Sequence, residues 1–119
     1  MALQKILGID PGTTSIGYAV LDGQGYTPQL IEAGLLRIRS ASRDHRFLEL
    51  NKELSRLLKK HKPDTVAIEK IFFSKNQKTA ISVAEARGAI LLITLLAGLR
   101  VCEYTPLEIK KTVTGYGQA

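Results

Sequence analysis

Cysteine is almost missing from this chain. Cys102, inside an apolar run, stands alone among 119 residues, so no disulfide can form within the chain and no metal cluster can be built on thiolates. A reducing, cytoplasmic compartment fits that usage. Histidine is nearly as scarce. His45 and His61 have no ligand spacing, and both are expected at the surface. The opening MALQKILGID has no long apolar region followed by a small-residue cleavage site, which predicts no signal peptide. The most apolar window, Gly88 to Leu99, falls short of the ~20 residues that cross a bilayer and reads as a buried helix. No membrane role is expected, and no internal repeat, low-complexity tract or linker is evident. Acidic side chains are also in deficit: 11 Asp+Glu against 17 Lys+Arg give +6 and a pI near 9.6. That balance favours a polyanionic partner such as nucleic acid. A solvated basic surface is the equally open alternative.

What is present has the size of one small domain with a single core. Ile6–Ile9 is apolar apart from Gly8 and reads as a central strand; Gly17–Leu21 and Leu30–Ile38 follow as strands, joined by short turns into an antiparallel meander. The period then changes. Phe47, Leu50, Leu54, Leu57 and Leu58 recur at three- and four-residue steps, predicting an amphipathic helix from about Arg43 to His61 that ends at Pro63-Asp64. TVAIE (Thr65–Glu69) is a fourth strand, able to lie parallel to an earlier one through the preceding helix. A helix from about Ala80 to Ala97 carries Ala80, Ala84 and Gly88 one turn apart, which permits close approach of a helix or the sheet. RVCEY (Arg100–Tyr104) is a fifth strand, and Thr105-Pro106-Leu107-Glu108 has the composition of a helix start.

Two carboxylates carry the chemistry. Asp10 ends the first strand, at the end of an α/β sheet where ligands bind, and Gly12 lets the backbone pass close by. Taken alone, Asp10 is as readily a cap of the Pro-Gly turn. Glu69 ends the fourth strand. If the first and fourth strands are neighbours, Asp10 and Glu69 emerge side by side and repel. A hard divalent cation, Mg²⁺ or Mn²⁺, removes that repulsion; the bland alternative is a Glu69 salt bridge to a nearby lysine such as Lys70. Next comes KIFFSKNQK. Phe72 and Phe73 among Lys70, Lys75, Asn76 and Lys78 read as a nucleic-acid surface, with rings on bases and lysines on phosphates. One of the two rings is expected to pack into the core. Lys110 and Lys111 could face the same end as Asp10. Arg37, Arg39, Arg43 and Arg46 surround the start of the first long helix, where phosphate contact and plain solvation are equally open. Arg87, inside an apolar helix, can pair with Glu85 or Glu103 or reach a DNA partner.

Taken in order, LGIDPGTTSIGYAV, AIEKIFFSKN, EARGAI and YTPLEIKKTVTGYG resemble the RuvC family of crossover junction endodeoxyribonucleases, over almost the whole chain. The resemblance implies an α/β, RNase H-like fold: a five-stranded mixed sheet flanked by helices, in a homodimer. It implies symmetric nicking of four-way junction DNA with two Mg²⁺ ions per complete site, alongside a branch-migration motor. On the same resemblance Asp10 and Glu69 are metal-binding carboxylates, Phe72 is the aromatic that enters the junction centre, and Lys110 sits near the scissile phosphate. Phe73 next door competes for the role of Phe72. Lys75, Asn76, Lys78, Arg87 and Lys111 are the further DNA-contact candidates, and the long apolar helix matches the family's dimer region.

The resemblance also implies further acidic ligands on a C-terminal helix, yet no acidic residue follows Glu108. The expectation from that departure is a truncated domain, residues 1–119, that nicks weakly or not at all. Three other readings compete. GIDPGTTS also resembles the phosphate loop of sugar kinases and actin-like ATPases, although that scheme gives KIFFSKN no role. A non-catalytic junction-binding or dimerisation module is the second. An RNase H-like nuclease acting on RNA precursors is the third.

Overall fold

The structure, a computed structural model, describes residues 5–12, 15–23, 29–70 and 77–104, with only the backbone of Gln77 and Lys78. Five strands and two helices follow one another: β1 (Lys5–Asp10), β2 (Ser15–Asp22), β3 (Gln29–Arg37), α1 (Arg43–His61), β4 (Thr65–Glu69), α2 (Gln77–Leu96) and β5 (Arg100–Tyr104). They form one mixed sheet in the order β3-β2-β1-β4-β5. The β1-β2-β3 meander is antiparallel, whereas β4 runs parallel to β1 and β5 parallel to β4. The expected strands are all present, and β1 is central. The expected helix at Thr105 lies outside the described residues.

Alternation along the strands divides the sheet into two faces. Leu7, Ile9, Ile16, Val20, Val66 and Ile68 are buried with Leu50, Leu54, Leu57 and Leu58 of α1 and Ile90 of α2. The described helices therefore cover one face. The other carries Gly8 and Asp10 of β1, Gly17 and Ala19 of β2, and Ala67 and Glu69 of β4.

Both ends of α1 are chemically marked. Ser42 is its N-cap, accepting a hydrogen bond from the His45 amide, and Asp44 lies in the first turn. At the far end Lys62 takes the left-handed conformation (φ 48°) and its N–H donates to the Leu58 carbonyl at 2.9 Å. Asp64 then ties β4 to β1. Its amide donates to the Lys5 carbonyl, and its carboxylate accepts from the Lys5 amide, both at 2.8 Å.

Two expectations are corrected here. His61 is not at the surface. It is 8 % exposed, with Nε2 3.3 Å from a Glu32 carboxylate oxygen. That carboxylate also accepts from the Tyr18 hydroxyl and the Lys60 ammonium. The three contacts hold Glu32 down at about 2, with the Lys60 hydrogen bond the largest influence. The second correction concerns α2, which is not buried all round. Ile90 and Thr94 are fully covered, while Ile81 (70 %), Leu92 (57 %) and Leu95 (61 %) are exposed. Ala84 and Gly88 are exposed between them, and a side chain at Gly88 would meet nothing within 4 Å. The small residues thus belong to an outward apolar stripe. Thr79–Leu96 is long and apolar enough by composition to cross a membrane. It packs on α1 instead, and its Glu85 and Arg87 are both ion-paired.

Candidate active site

The site is built where two neighbouring strands end. β1 and β4 are parallel, with Ile9 opposite Ile68. The next residue on each strand is a carboxylate, Asp10 on β1 and Glu69 on β4. Ile9 and Ile68 turn into the core, so alternation turns Asp10 and Glu69 to the opposite face together. Asp10 is exposed and Glu69 half-buried. The Glu69 carboxyl is pushed up, first by burial and then by its hydrogen bond to Asp10 and the Asp10 charge. Each of those influences opposes a second negative charge. Among the described residues Lys70 forms no salt bridge with Glu69, so the local pairing is not what the structure adopts. Both residues line a cavity of about 480 Å³ with Gly8, Gly17, Ala67 and Tyr104. Tyr104 lies opposite Glu69 in the β4-β5 register, and the Lys70 amide donates to its carbonyl at 2.7 Å. Sequence reasoning did not include Tyr104; its signal was the register of the last two parallel strands.

Small residues open this face. Gly17 sits opposite Asp10 in the β1-β2 ladder. Gly12, just after Asp10, is required by the turn: a Cβ there would stand 2.2 Å from the Ser15 carbonyl oxygen. That contact is far inside van der Waals distance, so no other residue fits without moving the backbone.

The remaining candidates divide. Arg87, a DNA-contact candidate, is instead held by Glu103 at 2.7 Å on the helix side of the sheet and is largely buried. Glu85, the other partner considered for it, pairs with Arg43, whose guanidinium also stacks over Phe47. Phe72, Phe73, Lys75, Asn76, Lys110, Lys111 and the side chain of Lys78 lie outside the described residues. Among the described residues, no group of three or more His, Cys, Asp or Glu side chains forms a metal cluster.

A mixed sheet of this order, with carboxylates at the ends of its two central parallel strands, defines an RNase H-like domain. The known proteins that it resembles narrow the class. The sequence profile of the family described as crossover junction endodeoxyribonuclease RuvC matches residues 6–119. The chain is 47% identical to the crossover junction endodeoxyribonuclease RuvC of Campylobacter concisus, over 97% of this chain and 73% of that protein. It is 43% identical to that of Caldicellulosiruptor saccharolyticus, over 97% and 70%. Among solved structures, T. thermophilus RuvC in complex with a Holliday junction substrate superimposes with a TM-score of 0.85 at 28% identity, over 98% of this chain and 72% of that one. The yeast mitochondrial Holliday junction resolvase Ydc2 shares the fold at 12% identity and a TM-score of 0.65. The chain belongs to the RuvC family of crossover junction endodeoxyribonucleases.

Proposed function

We propose that this protein resolves four-way DNA junctions by metal-dependent symmetric nicking, with Asp10 and Glu69 as its metal-holding carboxylates. The observation that carries the site is their emergence side by side from β1 and β4, with Glu69 pushed up by burial and then by Asp10. Two hard oxygen donors whose charges repel suit a divalent cation, Mg²⁺ or Mn²⁺. When bound, the cation supplies an activated water and offsets charge on the phosphate.

The protein's own residues do the rest. Asp10, exposed at the strand end, faces the approaching strand. Glu69, half-buried beside Asp10, would hold the cation as a carboxylate. Gly17 leaves the space beside Asp10 open, and Gly12 lets the backbone pass close to the Ser15 carbonyl. Lys110 offsets charge at the scissile phosphate, Phe72 or Phe73 enters the junction centre, and Lys75, Asn76, Lys78 and Lys111 hold the backbone. Symmetric nicking needs two sites, and the exposed α2 stripe of Ile81, Ala84, Gly88, Leu92 and Leu95 is the surface on which two copies would meet. Work beside a branch-migration motor in the cytoplasm is part of the same proposal.

The experiment sets a synthetic four-way junction against linear duplex of equal length in Mg²⁺. Preferential binding of the junction, with nicks at symmetry-related positions, supports the proposal. Equal binding of both DNAs without nicking overturns it.

A further inference from the structure

Four arginines surround the corner between β3 and α1, and the structure separates their roles. Arg43 is paired with Glu85, and Arg46 donates to the Ala41 carbonyl at 3.4 Å. Arg37 is exposed, and among the described residues it forms no salt bridge. Its position is specific. Leu36, opposite Ile16, is buried in the core, so Arg37 turns to the other face, which carries Asp10 and Glu69. The ladder Asp10–Gly17–Leu35 crosses that face, and Arg37 lies two residues beyond Leu35, opposite Ser15. Two inter-strand steps and two residues of rise separate the Asp10 and Arg37 Cα atoms, roughly 12 Å at ordinary strand spacings. The face positions between them, Gly17, Leu35 and Ser15, are uncharged.

The corner behind Arg37 is fixed. The Glu49 carboxylate accepts from the amides of Arg39 and Ser40 and from the Ser40 hydroxyl, at 2.8 to 3.1 Å. Those bonds hold Glu49 below the usual carboxylate range, the Ser40 amide contributing most. Its charge is thereby directed into the backbone, and the strand end that presents Arg37 is braced.

We infer that Arg37 is a phosphate-binding position for the DNA strand lying in the active site, gripping the backbone a few nucleotides from the scissile bond. DNA charges recur about every 3.4 Å along each strand, so a strand crossing from Asp10 over Gly17 reaches Arg37 within a few nucleotides. The guanidinium is a fork suited to phosphate oxygens. The inference rests on Asp10 and Glu69 being the nicking site. Arg37 acts on affinity and strand register, not on the chemical step.

The test measures junction affinity against salt concentration for wild type, R37A, R37K, R56A and D10N. Arg56 pairs with Glu53 on α1, so R56A removes one charge without removing the contact. R37A should weaken junction binding about fivefold to tenfold near 0.1 M salt and reduce the salt slope by about 0.9 for each Arg37 engaged, hence by about 1.8 for a junction held by two copies. R37K should restore the slope, and R56A should match wild type. R37A indistinguishable from wild type or from R56A overturns the inference. D10N keeps the two proposals apart. If D10N binds but does not nick while R37A matches wild type, the site stands and only the Arg37 role falls. If D10N nicks normally, the site falls and the Arg37 role with it.

Discussion

Asp10 and Glu69 stand one residue past the Ile9–Ile68 pair on adjacent parallel strands, and the Glu69 carboxyl is pushed up by burial and by Asp10. The folded state therefore retains a repulsion that the unfolded chain lacks. A raised carboxyl takes up its proton more readily folded than unfolded, so this pair lowers stability as pH rises through the Glu69 value. Replacing Asp10 by Asn should raise the Tm at neutral pH. The gain should vanish below about pH 4, where Glu69 is protonated in both states. Mg²⁺ should raise the Tm of wild type saturably and leave D10N and E69Q nearly unmoved. A metal-induced shift of equal size in all three would place the cation elsewhere.

Glu32 works in the opposite sense. Its carboxylate is held at about 2 by Lys60, Tyr18 and His61, so its contribution is complete above the unfolded value of about 4.3 and is lost as pH falls through about 2. Comparing wild type with E32Q, thermal melts should differ by a constant amount above about pH 5 and converge toward pH 2. Tyr18→Phe, which removes a 2.8 Å bond to Glu32, should cost about 1 kcal/mol in urea titration at pH 7.

The α2 stripe predicts association. Leu92 and Leu95 are exposed on the same face as Ala84 and Gly88. Leu92→Glu should leave the monomer folded, as seen by circular dichroism, and should shift light-scattering mass from dimer to monomer. A dimer that survives both L92E and L95E would place the interface on another surface.

Gly12 predicts a loss of activity without a loss of fold. An added Cβ would meet the Ser15 carbonyl oxygen at 2.2 Å, so Gly12→Ala must displace the turn beside Asp10. A displacement of about 1 Å at a catalytic group can cost about 100-fold in rate. Single-turnover nicking should fall by that order while the core, built on Leu54, Val66 and Ile68, still melts cooperatively.

Local pattern carried much of this structure. The Thr65–Glu69 and Arg100–Tyr104 strands and the Arg43–His61 helix have the bounds their apolar spacing implies. The carboxylate pair was legible because each acid closes an apolar strand. Long-range pairing was not. The buried His61 meets Glu32, 29 residues away, and Arg87 could be assigned to Glu103 only once α2 and β5 were placed together. The outward stripe of α2 escaped the sequence for a related reason. An apolar helix does not itself say which of its faces the rest of the chain covers.

The most direct measurement is Mg²⁺-dependent nicking of a four-way junction by wild type, D10N and E69Q, with junction binding followed in the same samples. Paired nicks by wild type, however slow, and bound but uncut junctions with D10N and E69Q, are the predicted result. Nicking by either variant at the wild-type rate would contradict the assignment of the site.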